Sequence, residues 1–307
     1  KLKKNYMLEV INIDDSSEGL RIDKWIKINL TKIPQSLIEK DLRNGKIKVN
    51  EKKVKSSYKL NKSDKIYLYN IKYKNLSVVK KKFIPKQFVI KKTEDDIIEN
   101  NSDFIVINKK SGLPVQGGTK VKENLINILS NSKYFENSKP YIVHRIDKDT
   151  SGVLIIAKNR QTAQTLTSLF RIRKIHKIYL ALSFGQIDKE KDIIDNNLIR
   201  YERNKKVLER AITYYQKIDS NKNYTFFKLK PITGRKHQIR KHLVDLKCPV
   251  IGDKKYFIQK QSKSYYLMLH AYELKFILNN KKYTFRANVP EYFKSFLIKN
   301  NLKQKDF

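Results

Sequence analysis

The chain has 307 residues, 40% of them hydrophobic, which is enough for one large domain and a small one, each with its own core. No run approaches the roughly 18 apolar residues that a membrane-crossing helix needs. A single cysteine, Cys248, excludes an internal disulfide and a multi-cysteine zinc site.

The formal net charge is +37, so polyanions such as nucleic acid or an anionic membrane surface are the expected partners. The excess is mostly lysine: only 12 of the 67 basic residues are arginine. Abundant asparagine and isoleucine beside it point to biased codon usage and to lysine drift on solvated faces. Positions that still carry arginine then stand out as places where a planar, five-donor fork is needed. Arg145, Arg171, Arg173, Arg235 and Arg240 are among them. The lone cysteine fits a reducing, cytoplasmic compartment. The basic first residues have no apolar segment behind them, so no leader peptide is expected.

The first element expected is a strand over 7–13, with a turn at 14–17. Ile22, Trp25, Ile26 and Leu30 then share one face of a helix. Pro34 opens a second helix with Leu37, Ile38 and Leu42 inward, and Gly45 ends it. Alternation at 46–50, a turn at Asn50-Glu51 and a closing strand at 64–69 complete a small module over 18–70. Between 20 and 70 there are 14 Lys/Arg against 5 Asp/Glu. The stretch 71–93 holds eight lysines and no acid, and reads as a basic linker.

A second domain is expected over 94–300. Residues 103–108 (DFIVIN) form its first buried strand. The glycine-rich loop at 109–119 lacks the spacing of a phosphate or dinucleotide loop, so no nucleotide cofactor is implied. A short helix at 123–130 leads to two buried strands, 141–143 and 153–157. They are joined by the polar turn HRIDKDTSG at 144–152. A turn this charged between core strands reads either as a solvated reversal, with Asp147 and Asp149 bonding their own backbone, or as a scaffolded functional loop.

Residues 161–173 form an amphipathic helix with Ala163, Leu166, Leu169 and Phe170 inward. It ends in a basic cluster, Arg171, Arg173 and Lys177, which either caps the helix or contacts RNA. Strands follow at 178–182, 211–217 and 224–229, whereas 186–210 carries no readable motif. A helix is expected to begin near Gly234, because Ile239, Leu243 and Leu246 share a face. Arg235 and Lys236 would then lie in its first turn, where the helix dipole opposes cations by about 0.3–1 kcal/mol each. An anion nearby would explain them, and Asp147 is the first candidate. A buried strand at 267–271, another at 285–289 and a helix near 292–297 finish the domain.

Asp147, Tyr179 and Arg235 make a chemically coherent set: a carboxylate nucleophile, an aromatic platform, and a cation that holds and aims the carboxylate. Rival chemistries are thinner. His237 and His242 are five apart and do not share a helix face as a metal pair would, so no metal site is expected. Asp147 and Asp149 are poorly placed to flank one glycosidic bond.

Two resemblances rest on these residues. The module at 18–70, with RIDK at 21–24, IEKDLR at 38–43, GKIKVN at 45–50 and DKI at 64–66, resembles the small RNA-binding domain shared by a ribosomal protein and several RNA-modifying enzymes. In the larger domain HRIDKDTSG, DFIVINK at 103–109, KIYLA at 177–181, TGRKHQIR at 233–240 and LHA at 269–271 resemble the blocks of the RluA-type pseudouridine synthases, in order. The loop QGGT at 116–119 is most similar to the branch acting on large-subunit ribosomal RNA. Lys110 departs from the proline usual in the family.

The resemblance implies an α+β fold: a mixed, mostly antiparallel catalytic sheet with flanking helices behind a small α/β RNA-binding domain. It also implies Asp147 as nucleophile, Tyr179 stacking on a flipped uridine, and Arg235 paired with Asp147. RNA is the implied partner, with no cofactor and a monomeric enzyme. The RNA contacts expected are His144, Arg145, Arg171, Arg173, Lys177 and Arg240 around the site, and Arg21, Lys24, Arg43 and Lys46 in the small module. For His144 and Arg145, support of the loop is an equal alternative. The remaining readings are a non-catalytic RNA-binding or ribosome-assembly protein, a synthase acting on transfer RNA, and a hydrolytic glycosidase.

Overall fold

The computed structural model describes residues 8–14, 17–30, 34–70, 84–117, 123–202, 205–257 and 266–303. The chain divides into two compact units, Lys1–Lys82 and Phe83–Phe307.

In the first unit, strand β1 (Leu8–Asn12) precedes helices α1 (Ile22–Asn29) and α2 (Gln35–Asn44) and strands β2 (Ile47–Val49) and β3 (Lys65–Tyr69). The three strands form an antiparallel sheet in the order β1-β3-β2. Ile22, Trp25, Ile26, Ile38, Leu42, Ile47, Leu60 and Ile66 close its core. Gly45 stops α2 in the left-handed conformation, φ 73°, while the Lys46 amide donates back to the Asp41 carbonyl at 2.9 Å. A residue with a Cβ would be strained at that C-cap. Of the expected turn at 14–17, residues 15 and 16 lie outside the described residues, as do 71–83 of the basic linker. The end of that stretch is no connector: Gln87–Glu94 forms helix α3.

The second unit is built on one ten-stranded sheet. Its strands are β4 (Ile97–Asn100), β5 (Phe104–Lys109), β6 (Tyr141–Ile142), β7 (Ser151–Ala157), β8 (His176–Phe184), β9 (Lys191–Glu202), β10 (Lys205–Ser220), β11 (Tyr224–Pro231), β12 (Leu269–Leu278) and β13 (Lys281–Arg286). The main order is β4-β5-β7-β12-β8-β11-β10-β9, with β13 beside β12 and β6 beside β7. Pairing is antiparallel except between β7 and β12, so the sheet is mixed and mostly antiparallel. Helices α4 (Leu125–Leu129), α5 (Arg160–Arg171), α6 (Gln238–Asp245) and α7 (Glu291–Lys299) accompany it. The core lies in two clusters, one around β5, β7 and α5, the other around β8, β11, α6 and α7. Tyr179 on β8 packs against both.

Several elements depart from the sequence reading. The motifless stretch 186–210 becomes most of a long hairpin, β9 and β10, whose alternation is hidden because Asn196 lies between buried Ile194 and Leu198 on one face while Ile193 and Ile199 are exposed on the other. Helix α5 ends at Arg171 rather than 173, since Arg173 adopts a left-handed φ of 62° and the Lys174 amide closes the turn onto Leu169 at 2.9 Å.

Helix α6 starts at Gln238, not near Gly234. The Gln238 side chain explains the delay. Its Oε1 accepts the Arg235 amide at 3.0 Å and the Thr233 hydroxyl at 2.7 Å, which folds 233–237 into a separate turn. Arg235 and Lys236 therefore precede the helix. The dipole argument that called for an anion beside them falls with that boundary.

Candidate active site

The polar turn between β6 and β7 is fixed from three sides. Lys109, at the end of β5, is 1% exposed and donates to the carbonyls of Lys110, Leu113 and Lys148 at 2.8–2.9 Å. All three ammonium hydrogens are thereby used, and two loops are tied together through one nitrogen. Burial pulls the Lys109 ammonium down to about 7, against the opposing charges of Asp149 and Asp147. Ser111 adds a 2.6 Å bond to the Asp149 carbonyl.

At the far end of the turn, Gly152 has φ 114° and lies against the backbone of Ala271, where a Cβ would meet the Ala271 nitrogen at 2.6 Å. Only glycine allows β7 to pair in parallel with β12 so closely. Ser151 completes this anchor. Its Oγ lies 2.9 Å from His270 Nδ1, while His270 Nε2 donates to the Ala287 carbonyl at 3.1 Å. Burial holds His270 down at about 4, so it is a neutral structural group.

The turn opens on a cleft of about 580 Å³. Among the described residues, six Lys/Arg side chains line it (Arg145, Arg171, Arg173, Lys177, Arg235 and Arg240) and Asp147 is the one carboxylate. A cleft with this charge suits a polyanion, and the arginine positions that resisted lysine drift converge on it.

Asp147 keeps 27% of its side chain exposed. One oxygen faces Arg240 Nη1 at 3.5 Å and the other faces His237 Nε2 at 3.6 Å. These are ion-pair distances rather than short hydrogen bonds, so the lone pairs stay available. Arg240 is itself clamped: Nε and Nη2 each donate to an Asp253 oxygen at 2.7 Å, and the two side chains are 7% and 1% exposed. Burial lowers His237, with Asp147 working against it. His237 caps α6 in the left-handed conformation, φ 55° and ψ 29°. A non-glycine residue there is strained by on the order of 1 kcal/mol. Tyr179 lines the same cleft from β8, half-buried, and burial followed by the Asp147 charge pushes its phenol upward.

Arg235 does not pair with Asp147. It lines the cleft, but its Nη1 meets Glu209 at 3.3 Å and its Nε donates to the Arg210 carbonyl at 3.1 Å. The delayed start of α6 turns it toward β10 and leaves Arg240, one and a half turns on, to face Asp147.

Two of the residues named as RNA contacts line the cleft but are also held by neighbouring side chains. Arg240 spends its fork on Asp253. His144 stacks on Phe170 at 4.3 Å, and its Nε2 accepts the Ile155 amide at 2.9 Å. Burial, then Lys177, drive His144 down to about 3, so it braces the turn as a neutral ring. Arg145, Arg171 and Arg173 are exposed in the cleft. Lys177 is half-buried there, and burial followed by Arg173 lowers it to about 8. In the small unit Lys24, Arg43 and Lys46 are exposed, while Arg21 is committed to Asp23 at 2.7 Å.

The sequence reading passed over His237, Asp253, Tyr256 and Lys109. A signal existed for His237, three residues before Arg240 in one block. Asp253 and Tyr256 sit in a turn that local pattern gave no reason to connect with residues 147 or 240. Asp149 is exposed and is not among the residues lining the cleft. Among the described residues no group of three or more His, Cys, Asp or Glu is arranged to hold a metal, and no helix is long and apolar enough to cross a membrane.

Comparison with known proteins agrees with this geometry. Residues 103–245 match the family described as RNA pseudouridylate synthase, and residues 20–66 match the S4 domain. Ribosomal large subunit pseudouridine synthase C of Buchnera aphidicola subsp. Baizongia pistaciae is 31% identical, over 94% of this chain and 96% of that protein. The protein of the same name from Rickettsia bellii is 33% identical, over 89% and 95%. Among solved structures, human RNA Pseudouridylate Synthase Domain Containing 4 superposes with a TM-score of 0.62 at 26% identity, covering 71% of this chain and 98% of that one. Ordered sequence blocks, a mixed sheet, a cationic cleft with one carboxylate and near full-length relatives converge: the chain belongs to the RNA pseudouridylate synthase family and carries an S4 domain ahead of its synthase domain.

Proposed function

We propose that this enzyme converts uridines of large-subunit ribosomal RNA to pseudouridine in the cytoplasm, as a monomer, with Asp147 as the nucleophile. The observation that carries the reading is the one carboxylate among the described residues lining a cleft of six cations, faced by Arg240 on one oxygen and by His237 on the other but tightly bonded by neither. The uridine leaves its stack at a cost of a few kcal/mol. Arg145, Arg171, Arg173 and Lys177 meet that cost by holding the backbone phosphates. Asp147 attacks an electrophilic carbon of the nucleoside. The glycosidic bond breaks, the uracil turns within the cleft, and its ring carbon five bonds to the anomeric carbon. The bond from Asp147 breaks, carbon five gives up its proton to solvent, and the ring nitrogen that left the sugar takes one up. Covalent catalysis divides the exchange into easier steps.

Tyr179 offers a neutral aromatic face for the base. Its phenol accepts the ring-carbon-five proton only if its own proton has left first. Arg240 and His237, rather than Arg235, compensate the Asp147 charge. Arg235 supports the cleft wall through Glu209. The S4 domain supplies a second basic surface, at Lys24, Arg43 and Lys46. The large-subunit target rests on the names of the near full-length relatives. A hydrolytic glycosidase is disfavoured because, among the described residues, no second acid lines the cleft.

Asp147→Asn should abolish tritium release from ribosomal RNA labelled at uracil carbon five while RNA binding stays within about twofold. Release at the wild-type rate would refute the nucleophile assignment.

A further inference from the structure

We propose that Tyr256 is a positioning residue for this reaction, setting both the tautomer of His237 and the seat of the Arg240 guanidinium, the two groups that face Asp147. The inference rests on the reading of Asp147 as nucleophile.

Tyr256 Oη lies 2.8 Å from His237 Nδ1. Two hydrogen placements satisfy that distance. If Nδ1–H donated to the phenol oxygen, Nε2 would turn a lone pair toward the Asp147 oxygen 3.6 Å away. If the phenol donates to Nδ1, Nε2 carries the hydrogen and turns a positive edge toward the carboxylate. The second arrangement is electrostatically favoured, and it makes a relay from Tyr256 through His237 to Asp147. Burial raises Tyr256 and so keeps its donor hydrogen in place at neutral pH.

The same side chain also holds the guanidinium. Arg240 Cζ lies 5.1 Å from the centre of the Tyr256 ring. The backbone amides of Lys255 and Tyr256 donate to Asp253 Oδ1 at 2.9 and 3.1 Å, and that carboxylate receives the Arg240 fork. One four-residue turn, 253–256, thus touches both groups that face the Asp147 carboxylate. His237 needs such a tether, because its left-handed backbone is strained and α6 receives no side-chain cap from it.

The test uses the full-length protein, with tritium release from protein-free large-subunit ribosomal RNA and 15N NMR of the imidazoles. Wild-type His237 should show the Nε2–H tautomer. Tyr256→Phe keeps the ring and loses the hydroxyl. It should lower kcat about 3- to 10-fold, leave KM within about twofold and shift His237 toward a mixture of tautomers. His237→Gln and the double variant Tyr256→Phe/His237→Gln should be equally impaired, because the hydroxyl acts through the imidazole.

An Nδ1–H tautomer in the wild type, an unchanged kcat in Tyr256→Phe, or additive losses in the double variant would each overturn the proposal. Asp147→Asn separates the two readings. Activity in that variant removes the nucleophile on which this inference rests. An inactive Asp147→Asn beside a wild-type-like Tyr256→Phe removes the Tyr256 role alone.

Discussion

Replacing Arg240 by methionine tests whether this buried guanidinium serves Asp147 or only Asp253. The Arg240–Asp253 pair is 2.7 Å long and its side chains are 7% and 1% exposed. Removing one partner leaves a buried, uncompensated carboxylate, at a cost of about 3–5 kcal/mol. In a unit of this size each kcal/mol moves Tm by about 2–4 °C, so Tm should fall by roughly 6–20 °C. The catalytic part is separate. Opposite unit charges 3.5 Å apart attract by about 5 kcal/mol at an effective dielectric near 20. That attraction is strongest before attack and weakens as the carboxylate bonds to carbon, so Arg240 acts on kcat by aiming Asp147, and a misplacement of about 1 Å costs on the order of 100-fold in kcat.

The double variant Arg240→Met/Asp253→Asn separates the two effects. The asparagine oxygen still accepts the amides of Lys255 and Tyr256, and no buried charge remains, so most of the lost Tm should return. Activity should not return with it. Differential scanning calorimetry and tritium release measure the two quantities on the same samples. Recovery of kcat together with Tm would refute a direct role of Arg240 at Asp147.

Other consequences follow from the same geometry. Lys177→Met should flatten the pH dependence of RNA binding at fixed salt. In the wild type Lys177 loses its proton near 8, so affinity should fall several-fold, and at most about tenfold, between pH 8 and 9. An equal fall in the variant would discount this residue. Stability runs the other way, because the unfolded chain keeps the lysine proton to its ordinary 10.5: the group's contribution rises with pH from about 8 to 10.5. Gly152→Ala should cost about 3 kcal/mol or more in urea denaturation, since φ 114° and the Ala271 backbone leave no room for a Cβ; a loss under 1 kcal/mol would show that β7 and β12 can part there. Lys109→Met should cost about 2–4 kcal/mol by stranding three carbonyls. It should also lower kcat more than RNA affinity; the reverse pattern would mean that the tie does not hold the Asp147 turn.

Much of the architecture was legible in the chain itself. Apolar periodicity marked α1, α2 and α5, which bury one face against a core, and continuous apolar runs marked β5 and β7, which are buried on both faces. Gly45 announced the end of α2 locally as well. The turn at 144–152 stood out because four charges between two buried strands demand an explanation, and the arginines kept amid lysines pointed to the cleft that they line. Local pattern failed where a distant side chain decides. The boundary of α6 depends on Gln238 bonding back to Thr233 and Arg235, and that boundary determines which arginine faces Asp147.

The order of blocks, the charge and the turn that carries Asp147 and Asp149 were thus determined by sequence alone, since each is a property of neighbours along the chain; that Asp147 rather than Asp149 faces the cleft is tertiary. Tertiary structure alone decided that Arg240 and His237, not Arg235, stand over Asp147. The partners there come from the turn before β7, from His237 and α6, and from the turn at 253–256, about 90 or more residues along the chain from Asp147, and they meet only because the sheet brings β7 and β8 into one cleft through β12.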